Sequence, residues 1–127
     1  MENENKFPLK VETYDIIGIA MEVHKILGRG FLEIVYKDAL EYEFQQRKIL
    51  YAREREYKVQ YKDIILRHTY NADFVVFDKI ILEVKAQNGI EEDHFRQSIN
   101  YLAVSKCKVG LVLNFGEPSL VYKRVIL

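Results

Sequence analysis

The segment Asn71-Ala72-Asp73-Phe74-Val75-Val76-Phe77-Asp78-Lys79-Ile80-Ile81-Leu82-Glu83-Val84-Lys85-Ala86 holds two β-rich runs, 72–77 and 80–86, split by the polar pair Asp78-Lys79. Apolar, β-branched runs flanking such a pair predict an antiparallel hairpin. In the second run Ile80, Leu82, Val84 and Ala86 take one face and Glu83 and Lys85 the other, because side chains alternate along a strand. A two-residue turn centred on Asp78-Lys79 pairs Phe77 with Ile80, Val75 with Leu82 and Asp73 with Val84. Asp73 is then a ladder neighbour of Glu83 and Lys85 without opposing either. Its side chain reaches their face only through a bulge or twist.

Downstream, Phe95, Ile99 and Leu102 recur at helical spacing within 91–106, followed by strands over 109–115 and 120–126 around the turn Gly116-Glu117-Pro118. Upstream, 51–61 alternates, with Tyr57, Val59 and Tyr61 set against Glu56, Lys58 and Gln60, and Lys62-Asp63 leads into another strand over 64–70. Two amphipathic helices come first. Ile16, Ile17, Ala20, Val23 and Leu27 line one over 10–27, which Gly28-Arg29-Gly30 ends; Leu32, Val35, Tyr36, Ala39, Leu40 and Phe44 line the next. So short a connection predicts a helical hairpin. The order is therefore α-α-β-β-β-β-α-β-β. Hairpin-compatible links followed by a strand–helix–strand crossover predict an α/β fold, a mixed β-sheet flanked by helices. The polar residues 1–9 read as a flexible tail, and 10–127 as a single domain.

The 127 residues are 49% hydrophobic and 30% charged, with 6 Gly and 2 Pro, which excludes disordered, collagen-like and low-complexity chains. Nineteen basic residues balance nineteen acidic ones. A protein that holds DNA by global charge is normally basic, so any nucleic-acid contact must come from a local site. Cys107 is the only cysteine, excluding an intrachain disulfide or a cysteine-rich zinc site. There is no apolar run near the ~20 residues that span a bilayer. The start MENENKFPLK lacks an apolar signal core, so a cytoplasmic protein that does not engage membranes is expected.

Asp73, Glu83 and Lys85 are the residues most able to carry chemistry. Two carboxylates beside a lysine suit a hard divalent cation such as Mg²⁺, whose shell is completed by water and phosphate oxygens. Such an ion polarises a phosphodiester and acidifies a bound water, which Lys85 would help to hold. The same three residues equally describe a cross-strand salt bridge on a wet sheet face. Glu33 and Tyr36 stand one turn apart, so Glu33 borders the buried stripe of its helix and can reach over the sheet; a first-turn Glu is also favoured by the helix dipole. His94, Gln97 and Tyr101 form a polar stripe on the late helix, able to contact phosphate or simply face solvent. His24, just before the glycine turn, either approaches the same cleft or serves as a helix-end residue.

Val23-His24-Lys25-Ile26-Leu27-Gly28-Arg29-Gly30-Phe31-Leu32-Glu33-Ile34-Val35-Tyr36 resembles the signature of the GxxExxY proteins, a mainly prokaryotic family of the PD-(D/E)XK nuclease-like superfamily. The resemblance continues through Ala72-Asp73, Glu83-Val84-Lys85, Gln97-Ser98-Ile99-Asn100-Tyr101-Leu102 and Val109-Gly110-Leu111-Val112-Leu113-Asn114-Phe115-Gly116, spanning about residues 13–116. It implies a restriction-endonuclease-like core and a nuclease that hydrolyses phosphodiester bonds with Mg²⁺ or Mn²⁺, in DNA rather than RNA. By that analogy Asp73 and Glu83 bind metal, Glu33 is a helix-borne acid completing the shell, and Lys85 is the catalytic lysine. Gln97 and Tyr101, with Tyr36 and His24, are the implied substrate contacts. Ala72 stands where the superfamily name expects Pro, and Arg29 where Pro is usual between the glycines. A domain this small has little surface for recognition, so a homodimer or protein partner is expected. The alternative is a catalytically silent module of the same fold that binds nucleic acid or another protein.

Overall fold

The first helix, α1 (Lys10–Leu27), buries Ile16, Ile17, Ile19, Ala20 and Val23 along one stripe. It ends at Gly28, whose φ of 69° lets its N–H cap the His24 carbonyl at 2.7 Å. In α2 (Glu33–Gln46) the buried stripe narrows to Tyr36, Leu40 and Phe44, four residues apart. Leu32 precedes the helix and stays exposed. The computed structural model describes residues 8–89 and 92–126, with 92–94 described for their backbone alone. Residues 1–7 of the expected tail and the His94 side chain lie outside the described residues. Residues 8 and 9 are docked: Leu9 packs on the core and Arg124 donates to the Pro8 carbonyl.

Five strands follow: β1 (Tyr51–Tyr61), β2 (Ile64–Val76), β3 (Ile80–Lys85), β4 (Val109–Asn114) and β5 (Val121–Ile126), with α3 (Glu92–Ser105) between β3 and β4. They lie in sequence order in a single sheet. Only β3 and β4 are parallel, as a helical crossover requires, and the other pairs are antiparallel. This is the mixed α/β architecture the sequence predicts. The runs 64–70 and 72–77 are one continuous strand, because Asn71 keeps its place in the ladder opposite Glu56. Helices α1 and α2 cover one face, over Phe74, Val76, Ile80, Leu82, Leu111 and Leu113. The other face carries Tyr70, Ala72, Val75, Ile81 and Val125, covered by Phe95, Ile99 and Leu102 of α3. Gly110 admits α3 closely, since a Cβ there would lie 2.4 Å from Leu102 Cδ1. No described helix is long and apolar enough to cross a membrane.

Two departures from regular pairing position the site. The β2–β3 turn is centred one residue earlier than expected: Phe77 and Asp78 both take left-handed backbone (φ 58°), and Lys79 N–H closes on the Val76 carbonyl at 3.1 Å. The register therefore shifts to Val76↔Ile80, Val75↔Ile81 and Phe74↔Leu82. That register, continued one step, points Asp73 at Glu83 rather than Val84, but the ladder ends at Phe74↔Leu82. The second departure is a pleat inversion. Ala72 packs on the α3 face but Phe74 on the α1/α2 face, although two residues apart on a strand normally share a face. In β1 Glu54 is left-handed (φ 55°), and Arg53↔Phe74 and Arg55↔Ala72 pair on either side of it. Both strands invert at one level, and Asp73 sits at that level.

Candidate active site

Asp73 emerges where β2 leaves β3. The ladder ends at Phe74↔Leu82, and Asp73 Oδ2 accepts the Val84 N–H at 2.7 Å. Its other oxygen, Oδ1, lies 2.9 Å from Lys37 Nζ on α2. Across the gap, Glu83 is 8% exposed, like Asp73, and accepts a hydrogen bond from the Tyr70 hydroxyl. The Tyr70 ring is fixed between neighbours, stacked at 4.6 Å on Tyr101 of α3 and at 5.9 Å on Tyr57 of β1. Lys85, two residues after Glu83, shares its face and is half-buried.

These charges act on one another. Burial first, then the Asp73 charge, push the Glu83 carboxyl up to about 8, with a hydrogen bond to Asp73 adding to the rise. The Tyr70 hydroxyl and the Lys85 charge pull it down. The rise is that of a carboxyl that burial and a neighbouring negative charge both hold towards its protonated form. Glu33 is also raised, by burial and then by Asp73, with Lys85 and Lys37 opposing. Glu33, Asp73, Glu83, Lys85 and Lys37 thus form one electrostatic group. A divalent ion suits this donor set: Asp73 and Glu83 would supply hard oxygens, and the ion's charge would favour the ionised form of Glu83. Among the described residues no three His, Cys, Asp or Glu side chains gather as a cage. Glu33, expected as a third ligand, is therefore not drawn into one set with the pair; the Lys37 ammonium lies 4.0 Å from it and 2.9 Å from Asp73.

A cavity of about 230 Å³ opens on this group, lined by Glu83, Lys85, Tyr70, Gln97, Ser98 and Tyr101 among others. Gln97 and Tyr101 are thus on its wall. Tyr36 and His24 are not. Tyr36 is fully buried; its hydroxyl donates to the Gly28 carbonyl at 2.6 Å and accepts the Phe31 N–H at 3.3 Å, tying the α1–α2 turn. A side chain with no exposed surface cannot meet a substrate, so its role is to hold that turn. His24 Nε2 donates to the Glu117 carbonyl at 2.8 Å and its ring stacks on Phe115, fastening α1 to the β4–β5 connection. Cys107 packs half-buried in the α3-side core.

Sequence reasoning missed Lys37, Tyr70 and a buried amide clamp. Asn114, with no exposed surface, accepts the Gln87 and Gly116 N–H groups at 3.0 and 3.1 Å and donates to the Gln87 carbonyl at 2.9 Å. Together with Phe115 N–H on the Lys85 carbonyl at 2.8 Å, it fixes the backbone immediately after Lys85. The Glu33/Lys37 spacing of four was the visible sign of Lys37. Tyr70 and Asp73 are three apart in a strand, and only the pleat inversion brings both to Glu83.

The comparisons with known proteins agree with this architecture. No curated protein matches the chain. Among solved structures, the crystal structure of SSO0001 is similar, with a TM-score of 0.57 at 14% identity, over 98% of this chain and 59% of that one. That likeness concerns the fold, and this chain spans 59% of that protein's length. Residues 10–125 match the family described as the PD-(D/E)XK nuclease superfamily, a stretch containing every strand and both acids of the inverted-pleat site. With an acid where β2 parts from β3, and an acid and a lysine two apart on β3 itself, the chain belongs to the PD-(D/E)XK nuclease superfamily.

Proposed function

We propose that this protein is a small nuclease of the GxxExxY branch that hydrolyses phosphodiester bonds, in DNA rather than RNA, using Mg²⁺ or Mn²⁺. One observation carries the reading: Asp73 and Glu83 stand as neighbouring buried carboxyls, and Glu83 and Lys85 line a polar cavity. Burying the Glu83 carboxyl beside that of Asp73 raises its pKa and is of little use to a purely structural sheet face, which favours salt bridges in solvent. The same pair is well matched to a cation.

In this reading Asp73 and Glu83 hold the ion, and Glu33 modulates the group's charge from the α2 N-terminus. When bound, the ion polarises the phosphodiester and lowers the pKa of a water. Lys85 holds the attacking water and offsets the charge that builds on the phosphoryl oxygens. Gln97 and Tyr101 position the phosphate from the cavity wall. The attacking water gives up one proton to solvent as its oxygen bonds to phosphorus, the phosphorus–oxygen bond to the leaving strand breaks, and that alkoxide takes up a proton from solvent. The balanced charge of the chain makes a homodimer or protein partner the source of extended recognition.

The test is cleavage of single-stranded, duplex and branched DNA and of RNA, each with Mg²⁺, Mn²⁺ or EDTA. The expected result is metal-dependent cutting of DNA in preference to RNA, lost in Glu83→Ala and Lys85→Ala. A folded wild-type protein that cuts none of these substrates overturns the proposal.

A further inference from the structure

Lys37 contacts three acids of the site. Its ammonium lies 2.9 Å from Asp73 Oδ1, 3.0 Å from Glu54 Oε1 and 4.0 Å from Glu33 Oε1, and its side chain is 12% exposed. A lysine paired only with the glutamate one turn earlier on its helix would remain in water. Here it gives up solvent to reach Asp73. Burial pulls the ammonium's pKa down, and the hydrogen bonds to Asp73 and Glu54 more than offset this, so Lys37 stays charged. Asp73 Oδ2 is already held by the Val84 N–H at 2.7 Å. Each oxygen of the carboxylate therefore has a partner supplied by the chain, and one partner carries a full positive charge.

We propose that Lys37 is a built-in counter-cation for Asp73, which neutralises the carboxylate when no divalent ion is present and competes with that ion for it. The inference rests on the reading of Asp73 and Glu83 as a metal-binding pair. An ion arriving at Asp73 must either share an oxygen with the ammonium or displace it, and either course weakens the ion's hold, because like charges a few ångströms apart repel strongly where water is excluded. Displacement has a route. The Glu54 and Glu33 side chains are 49% and 41% exposed, against 12% for Asp73, so the ammonium can turn to them without leaving α2's surface. Lys37 thereby sets the ion concentration at which the site fills, while Lys85 remains the lysine facing the cavity.

The test is Mn²⁺ affinity, by calorimetry and by loss of the free-ion electron-resonance signal, without any substrate. Lys37→Met is expected to bind Mn²⁺ roughly ten-fold tighter than wild type. Glu54→Gln leaves the ammonium to Asp73 and the more distant Glu33 and is expected to bind several-fold more weakly, an effect that vanishes in the Lys37→Met/Glu54→Gln double variant because it acts through Lys37. Glu54 is half-exposed, so its single variant serves even if Lys37→Met fails to fold: an Mn²⁺ affinity unchanged in Glu54→Gln then overturns the role. If wild type binds Mn²⁺ and Lys37→Met binds it equally or less well, the counter-cation role is wrong and the metal reading stands. The role is equally wrong if Glu54→Gln weakens binding as much without Lys37 as with it. If neither wild type nor Lys37→Met binds Mn²⁺, both readings fall.

Discussion

A carboxylate oxygen of Asp73 accepts the Val84 backbone N–H at 2.7 Å, so a side chain completes the ladder at the point where the β2 backbone abandons it. Asp73 is thus both a structural acceptor and a charge, and the two roles separate by substitution. Asp73→Asn keeps an acceptor for Val84 and loses the charge; Asp73→Ala loses both. Cleavage should be abolished in each. In urea unfolding Asp73→Ala should be less stable than Asp73→Asn by about 1–3 kcal/mol, the cost of a buried donor left without a partner. Equal stabilities would show that Val84 finds another acceptor.

Glu83 makes stability depend on pH. Its carboxyl is raised from the ordinary 4.5 to about 8, so the folded chain holds this proton more tightly than the unfolded chain. The contribution is complete below the unfolded value, is lost as pH rises through the window up to the folded value, and is absent above it. Metal-free wild type should therefore fall in Tm relative to Glu83→Gln between about pH 5 and pH 9. Parallel melting curves would mean that Glu83 titrates as an exposed carboxyl.

The Tyr70 hydroxyl favours the charged form of Glu83. Removing it in Tyr70→Phe leaves the ring stack with Tyr101 and Tyr57 in place and takes away only the donor. In the metal-free protein the pH at which Glu83 loses its proton, read from the profile of Tm against pH, should move alkaline. An unmoved profile would assign Tyr70 to packing alone.

Gly116 gives a test remote from the charges. A Cβ there would lie 2.3 Å from the Gln87 backbone nitrogen and oxygen, so Gly116→Ala must push apart the segment that Asn114 clamps after Lys85. We expect a stability loss of about 1–3 kcal/mol in urea. Cleavage should fall at least about ten-fold, since small misplacements of a catalytic group are costly. Full activity at reduced stability would show that Lys85 is held by other contacts.

Much of this arrangement was legible in the sequence. Ile16, Ala20 and Val23, and later Tyr36, Leu40 and Phe44, announce their helices through simple spacing, and Ile80, Leu82 and Val84 announce a strand with Glu83 and Lys85 on its other face. The register of Asp73 was not legible. It depends on Phe77, an apolar strand-former, adopting left-handed backbone, against local preference. The pleat inversion was hidden as well, because it needs Glu54 and Asp73, nineteen positions apart, to break alternation together. Lys37 could be read as a helix-surface partner of Glu33, but its reach to Asp73 exists only once α2 lies over β2.

The β1–β2 hairpin pairs from Tyr51↔Val76 out to Tyr61↔Ile64, while β2 meets β3 only at Phe74, Val75 and Val76. The outer half of that ribbon is consequently modular. Residues added or removed in pairs around Lys62-Asp63 would lengthen or shorten the arm without altering which atoms meet at Asp73, Glu83 and Lys85. Reach and chemistry can then diverge independently on one scaffold, with the inversion at Glu54 and Asp73 as the seam between them.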